Sequence, residues 1–108
     1  MKKIKIKFEY GCFPVWIYGE RNELIDNNLP ESLMENTILD VAFTCVQEQF
    51  DSLFLDDGKE FKYIGFRNCE EKENFFKELI SAVNLLRNSL SEEFLIEDNL
   101  DSLRKSIM

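Results

Sequence analysis

Three cysteines, 21 carboxylates and not one histidine define the chemistry open to this 108-residue chain. Without imidazole, the commonest general base, the commonest metal ligand and the usual partner of a Ser or Cys nucleophile are all missing. Cys12, Cys45 and Cys69 lie far apart with no C-x-x-C spacing, so zinc has almost no ligands to draw on. The four glycines are isolated, which leaves no phosphate-cradling loop. Carboxylates keep two readings open. One is acid–base catalysis by a pair of them. The other is a calcium loop at Asp56-Asp57-Gly58, but the alternating ligands and final Glu of such a loop are absent, and a hairpin turn explains all three residues. No cofactor is expected.

The stretch "GCFPVWIYG" at 11–19 packs a cysteine, the sole tryptophan and a tyrosine between two glycines. Cys12 has no nearby base to activate it, so an idle or packed thiol is the expectation. Trp16 and Tyr18 alternate with Val15 and Ile17. That pattern reads as sheet-face packing, or, for one of the two rings, as an exposed anchor for a partner, since aromatics dominate interface hot spots.

Charge is the stronger signal. The formal net charge is −8, and four lysines fall within the first seven residues, so the other 101 carry −12 (nine basic, 21 acidic). Phosphate backbones repel such a surface, so direct nucleic-acid binding is not expected. A basic protein partner is, because an acidic surface steers and accelerates its capture. The acids gather at Glu20, Glu23 and Asp26; at Glu48, Asp51, Asp56, Asp57 and Glu60; and at Glu92, Glu93, Glu97 and Asp98. The opposing lysine row reads as a guard on an edge strand.

These residues need elements to hold them. "IKIKFEY" alternates, with Ile4, Ile6, Phe8 and Tyr10 on one side and Lys3, Lys5, Lys7 and Glu9 on the other, as in a half-buried strand. "VWIY" and "ELID" read as two further strands around a "GERN" turn, giving an antiparallel meander. Leu39, Ala42, Phe43, Val46, Phe50 and Leu53 then repeat at helical spacing. Pro30 suits the first turn, and Ser32 with Glu35 has capping-box spacing. Asn68 caps a second helix whose stripe is Phe76, Leu79, Ile80, Val83, Leu86 and Leu90. Between the helices, Asp57-Gly58 suits a two-residue hairpin turn, with a strand at about 60–66 paired to one at 53–56. Phe94–Ile96 reads as a strand, and Leu100, Leu103 and Ile107 as a short C-terminal helix ending in Arg104 and Lys105. The expected fold is a single α+β domain over 1–108. A mainly antiparallel sheet, the meander plus the later hairpin strand, carries two main helices on one face.

An odd cysteine count forbids a complete disulfide framework, so reduced thiols in the cytoplasm are expected. No apolar run approaches the ~20 residues of a membrane helix, and the alternating start is unlike a signal peptide.

"FEYGCFPVWIYGERNELIDNNLPESL" (8–33) followed by "FDSLFLDDGKEFKYIGF" (50–66) resembles, in style and segment order over about two-thirds of the chain, the small acidic immunity proteins encoded beside bacterial polymorphic toxins, including contact-dependent growth inhibition systems. The resemblance implies a cytosolic, stoichiometric inhibitor of a toxin domain, often a basic nuclease, and fixes no binding residue. On charge and position the expected contacts are Asp51, Asp56, Asp57 and Glu60, then Glu23 and Asp26, with Trp16 or Tyr18 as the anchor. A monomer that is not an enzyme is expected. The alternatives are an acidic DNA mimic that blocks a host protein, and a small enzyme using paired carboxylates. The mixed Lys/Glu pattern and the lysine-rich first strand count against the mimic.

Overall fold

The structure, a computed structural model, describes residues 2–90, 92, 94–97, 102, 103 and 105. Alternation in the first strand, β1 (Lys2–Ile6), sends Ile4 and Ile6 into the core, at 0% and 1% exposure. The strand stops four residues short of Tyr10. Lys7 N–H still donates to Pro14 O (3.1 Å), but Gly11 at φ +73° and the Cys12 N–H bonded to Glu9 O (3.1 Å) turn the chain away. Phe8 keeps its burial without pairing, by stacking on Phe50 (centroids 5.1 Å). Hydrophobic period reports which side chains are sheltered; it does not report where the ladder ends.

β2 (Val15–Tyr18) and β3 (Leu24–Asp26) complete the expected meander, antiparallel throughout, with a bulge at Ile17/Tyr18. The main sheet is mixed: two of its three ladders are antiparallel, as expected, and one is parallel. Its order is β3-β2-β1-β6, and β6 (Phe94–Glu97) lies parallel to β1. A parallel neighbour needs a long crossover, which the two helices supply. β1 is therefore an interior strand, hydrogen-bonded on both sides, and its lysines guard no edge. β4 (Phe54–Asp56) and β5 (Phe61–Tyr63) also depart from expectation, because they form a two-stranded sheet of their own. Its loop has four residues instead of two: Asp57 N–H donates to Glu60 O (3.3 Å), and Gly58 supplies the left-handed step at φ +83°.

α1 (Thr37–Asp51) starts later than the Ser32/Glu35 spacing suggests. Pro30 precedes a separate short 3-10 turn at Glu31–Leu33. The cap is Asn36, whose Oδ1 accepts from Leu39 N–H (3.1 Å); Asn ranks among the strongest N-cap residues. α2 (Cys69–Ser89) starts where expected, with Asn68 Oδ1 accepting from Glu71 N–H (2.8 Å). Leu39, Phe43, Val46 and Phe50 of α1 meet Phe76, Leu79, Val83 and Leu86 of α2 in one cluster with Ile4, Ile6, Val15 and Ile17. Both helices thus cover one face of the main sheet. Phe75 and Ala82 join the stripe of α2, whereas Ile80, about 100° round from Leu79, is exposed. Of the expected terminal helix, Ser102, Leu103 and Lys105 are helical and Leu103 is buried; Leu100, Arg104 and Ile107 lie outside the described residues.

Candidate functional site

Two aromatic regions compete for attention, and they are built oppositely. The first is the outer face of the main sheet, turned away from the helices. Register sets Lys5 beside Trp16 and Lys3 beside Tyr18. Trp16 is 8% exposed. Its Nε1–H donates to Lys7 O (2.9 Å), and Lys7 Nζ sits 5.3 Å from the ring centroid. Lys5 Nζ lies 4.7 Å from the centroid of Tyr18 and 3.5 Å from Glu97. Lysine stems are long enough to roof an apolar ring while the ammonium stays wet, and the charge gains from the ring's negative face. Sheet packing is the reading that fits Trp16, and Tyr18 is half-buried beneath its own lysine. Cys12 is half-buried and unpaired, as Cys45 and Cys69 are unpaired at exposed positions.

The second region is the β4–β5 hairpin. Phe54 and Phe61 stack at 5.2 Å and 7°, Tyr63 meets Phe54 edge-on at 5.3 Å, and Tyr10 closes on Phe61 at 4.8 Å. Phe50 touches Phe54 at 5.3 Å, so this row runs out of the core without a break. Yet its far end is open: Phe61 is 55% exposed, Tyr63 46% and Ile64 55%. Among the described residues the lysine–ring contacts fall on Phe94, Tyr18 and Trp16, and none is seen on Phe61.

Acids sit in the strand end and loop beside these rings, together with Lys59 and Lys62. Asp56 is the cross-strand partner of Phe61, and its Oδ1 accepts from Gly58 N–H (3.2 Å). Asp57 Oδ1 accepts from Glu60 N–H (2.7 Å) and Lys59 N–H (2.9 Å). The Glu60 and Lys59 amides, in that order, hold the Asp57 carboxyl below its ordinary value of 3.8, because bonds donated to a carboxylate favour its charged form. Glu60 pairs loosely with Lys62 (3.9 Å). Asp51, at the end of α1, is half-buried and faces inward: its Oδ1 accepts from Gly11 N–H (3.0 Å) and Gln47 Nε2 (2.8 Å). Gln47 Nε2 also donates to Glu9 O (2.9 Å), while Gln47 Oε1 is buried with no hydrogen-bond partner. That unmet acceptor costs about 1–3 kcal/mol.

Four of the acids singled out by sequence therefore converge on the hairpin and its neighbouring turn. Glu23 and Asp26 do not; they belong to the main sheet, where Glu23 Oε2 accepts from Arg21 N–H (2.9 Å) and Asp26 Oδ1 from Asn27 N–H (2.8 Å). Between Asn22 and Gly58 the chain holds nine acids and no Lys or Arg. The aromatic centre of the patch, Phe54, Phe61, Tyr63 and Tyr10, is what sequence reasoning missed. A signal existed: three rings within ten residues flank a loop too short to bring its own cover.

The cavities offer less. An open groove of about 540 Å³ between α1 and α2 is lined by Cys45, Gln49, Lys77 and Glu78 among others, with Gln49 Nε2 donating to Glu78. Among the described residues no group of three or more Cys, Asp or Glu side chains could hold a metal ion, and no helix is long and apolar enough to cross a membrane. The hairpin instead offers a half-exposed aromatic row beside an acidic loop.

The comparison with known families decides the lineage. The model of the Serratia CdiI immunity protein-like family matches residues 2–97, from the first strand of the main sheet to its last. The chain belongs to this family. The match is wider than the two-thirds over which the sequence resembles contact-dependent growth inhibition immunity proteins, and it takes in both sheets and both helices. No curated protein matches the chain. For a member of an immunity family, the patch on β4–β5 is the surface to test first.

Proposed function

We propose that this immunity protein neutralises its cognate toxin domain, a basic nuclease, by stoichiometric occlusion through the β4–β5 hairpin, without turnover of its own. Phe61, Tyr63 and Ile64 form the apolar centre of the contact, and Asp56, Asp57 and Glu60 form the rim. The observation that carries the reading is the open end of the aromatic row, about half exposed, with Asp56 across the strand from Phe61 and Asp57 in the adjoining loop. This is the anatomy of a hot spot: a desolvated aromatic centre and a polar border. A nuclease needs a basic cleft for phosphates, and carboxylates on a fixed scaffold compete with nucleic acid for it. An interface of standard size buries about 1,600 Å² in total. Close charge pairs across such an interface can couple by about 1.5–7 kcal/mol. Glu23, Asp26 and Tyr18, on the main sheet, enter only through the negative field or as peripheral contacts. Trp16 acts from beneath its lysine as part of the scaffold.

The test is co-expression with the toxin domain encoded immediately upstream. Growth should be rescued, a one-to-one complex should elute from gel filtration, and nuclease activity should fall in proportion to added inhibitor. A complex that forms while the toxin shows no action on nucleic acid would overturn the nuclease assignment. No complex and no rescue would overturn the pairing itself.

A further inference from the structure

Asp51 looks like the natural fourth member of the acidic rim, but its geometry says otherwise. Its Oδ1 accepts from two donors within the chain, the Gly11 amide and the Gln47 side-chain amide. Gln47 is 7% exposed and reaches past Asp51 to the Glu9 carbonyl (2.9 Å). Together the two side chains hold Glu9 and Gly11 of a tight turn, Glu9 to Cys12, in which Gly11 lies in the left-handed region at φ +73°. The residue inside that grip is Tyr10. Its ring lies 4.8 Å from Phe61 and 5.5 Å from Phe54, on the open aromatic patch. Tyr10 itself is 43% exposed, and so lacks the burial that would hold it there unaided.

We propose that Gln47 and Asp51 are positioning residues: they clamp the 9–12 turn so that Tyr10 braces Phe61, and Asp51 serves toxin binding through this clamp and not as a contacting charge. The binding half of this statement rests on the hairpin being the toxin site; the bracing of Tyr10 does not. The physical gain is preorganisation, since rings already ordered in the free protein lose less entropy on binding. The Gln47 amide suits this role better than a stabilising one, because its own Oε1 is left buried and unpaired.

Asp51→Asn separates charge from geometry, because an amide oxygen can still accept from Gly11 and Gln47. In the free protein, ring-to-ring NMR contacts of Tyr10 with Phe61 should persist in Asp51→Asn and vanish in Asp51→Ala and Gln47→Leu. Against the upstream toxin domain, Asp51→Asn should bind as the parent does. Asp51→Ala and Gln47→Leu should dissociate roughly three- to tenfold faster, the cost of ordering one or two side chains at an interface, with association rate and salt dependence unchanged. Loss of affinity in Asp51→Asn equal to that in Asp51→Ala, with a flatter salt dependence, would make Asp51 a contacting acid and overturn the proposal. So would Tyr10–Phe61 contacts that survive in Asp51→Ala and Gln47→Leu. If Phe61→Ala binds undiminished while those contacts vanish in the clamp variants, the hairpin is not the toxin site, yet the bracing of Tyr10 is upheld.

Discussion

The outer face of the main sheet and the β4–β5 hairpin hold the same materials, aromatic rings and charged side chains, in opposite arrangements. On the sheet, lysines lie over Trp16 and Tyr18 at 5.3 and 4.7 Å, and carboxylates such as Glu97 answer the lysines. On the hairpin Asp56 and Asp57 turn back onto loop amides, and Phe61 and Tyr63 stay about half exposed. A long basic stem can cover a ring; a short Asp that caps its own turn cannot. The same composition thus gives one self-satisfied surface and one left partly open.

Substitutions can break this contrast in graded steps. Trp16→Ala should cost about 3 kcal/mol of stability, in the range for removing a buried large aromatic, seen as a lower midpoint in denaturant, with toxin affinity of the folded fraction intact. Phe61→Ala should do the reverse. It should cost only about 1 kcal/mol of stability, the scale of its ring contacts with Phe54 and Tyr10, and weaken binding by about 2–4 kcal/mol, as hot-spot truncations do; calorimetry on both variants reads the crossing. A smaller effect is expected from Asp56→Asn, Asp57→Asn and Glu60→Gln together. These keep the turn's acceptors while removing three charges, so association should slow and lose salt sensitivity with little change in dissociation. Replacement by Lys would confuse the matter, because Asp56 and Asp57 also tie the loop to itself.

The smallest effect is on acid titration. The Asp57 carboxyl is held below 3.8 by the Glu60 and Lys59 amides. A depressed carboxylate contributes to the fold above its unfolded pKa, and that contribution is lost as pH falls through the lower folded value. Carbon-detected NMR of the carboxyl should therefore place the Asp57 midpoint beneath 3.8, with loop shifts following it; a midpoint at or above 3.8 would remove the turn bonds from the account.

Much of this was legible in the residues, and the omissions have causes. Helical spacing revealed the buried stripes of α1 and α2, and alternation revealed Ile4 and Ile6, because local period records burial directly. The parallel pairing of β6 with β1, and the separation of β4–β5 from the main sheet, depend on contacts distant in sequence, which no local pattern encodes. Asn36 displaced the Ser32 cap because a sequence offers several capping residues and packing selects among them. At the site, "LDDGKE" pointed to the hairpin acids. The rings beside them stood out less, since a Phe in a strand carries no mark of whether another layer covers it. Trp16 is the mirror image: sheet packing is one of its two readings, and its cover comes from Lys7, just past the neighbouring strand.

The central claim is that the bare aromatic hairpin, and not the lysine-roofed sheet face, meets the toxin. Amide hydrogen exchange on the free protein and on its complex with the upstream toxin domain tests this most directly. Slowed exchange across residues 54–64 and the 9–12 turn, with 3–7 and 15–18 unchanged, is the expected result. Protection confined to 3–7 and 15–18, with the hairpin exchanging as in the free protein, would contradict it.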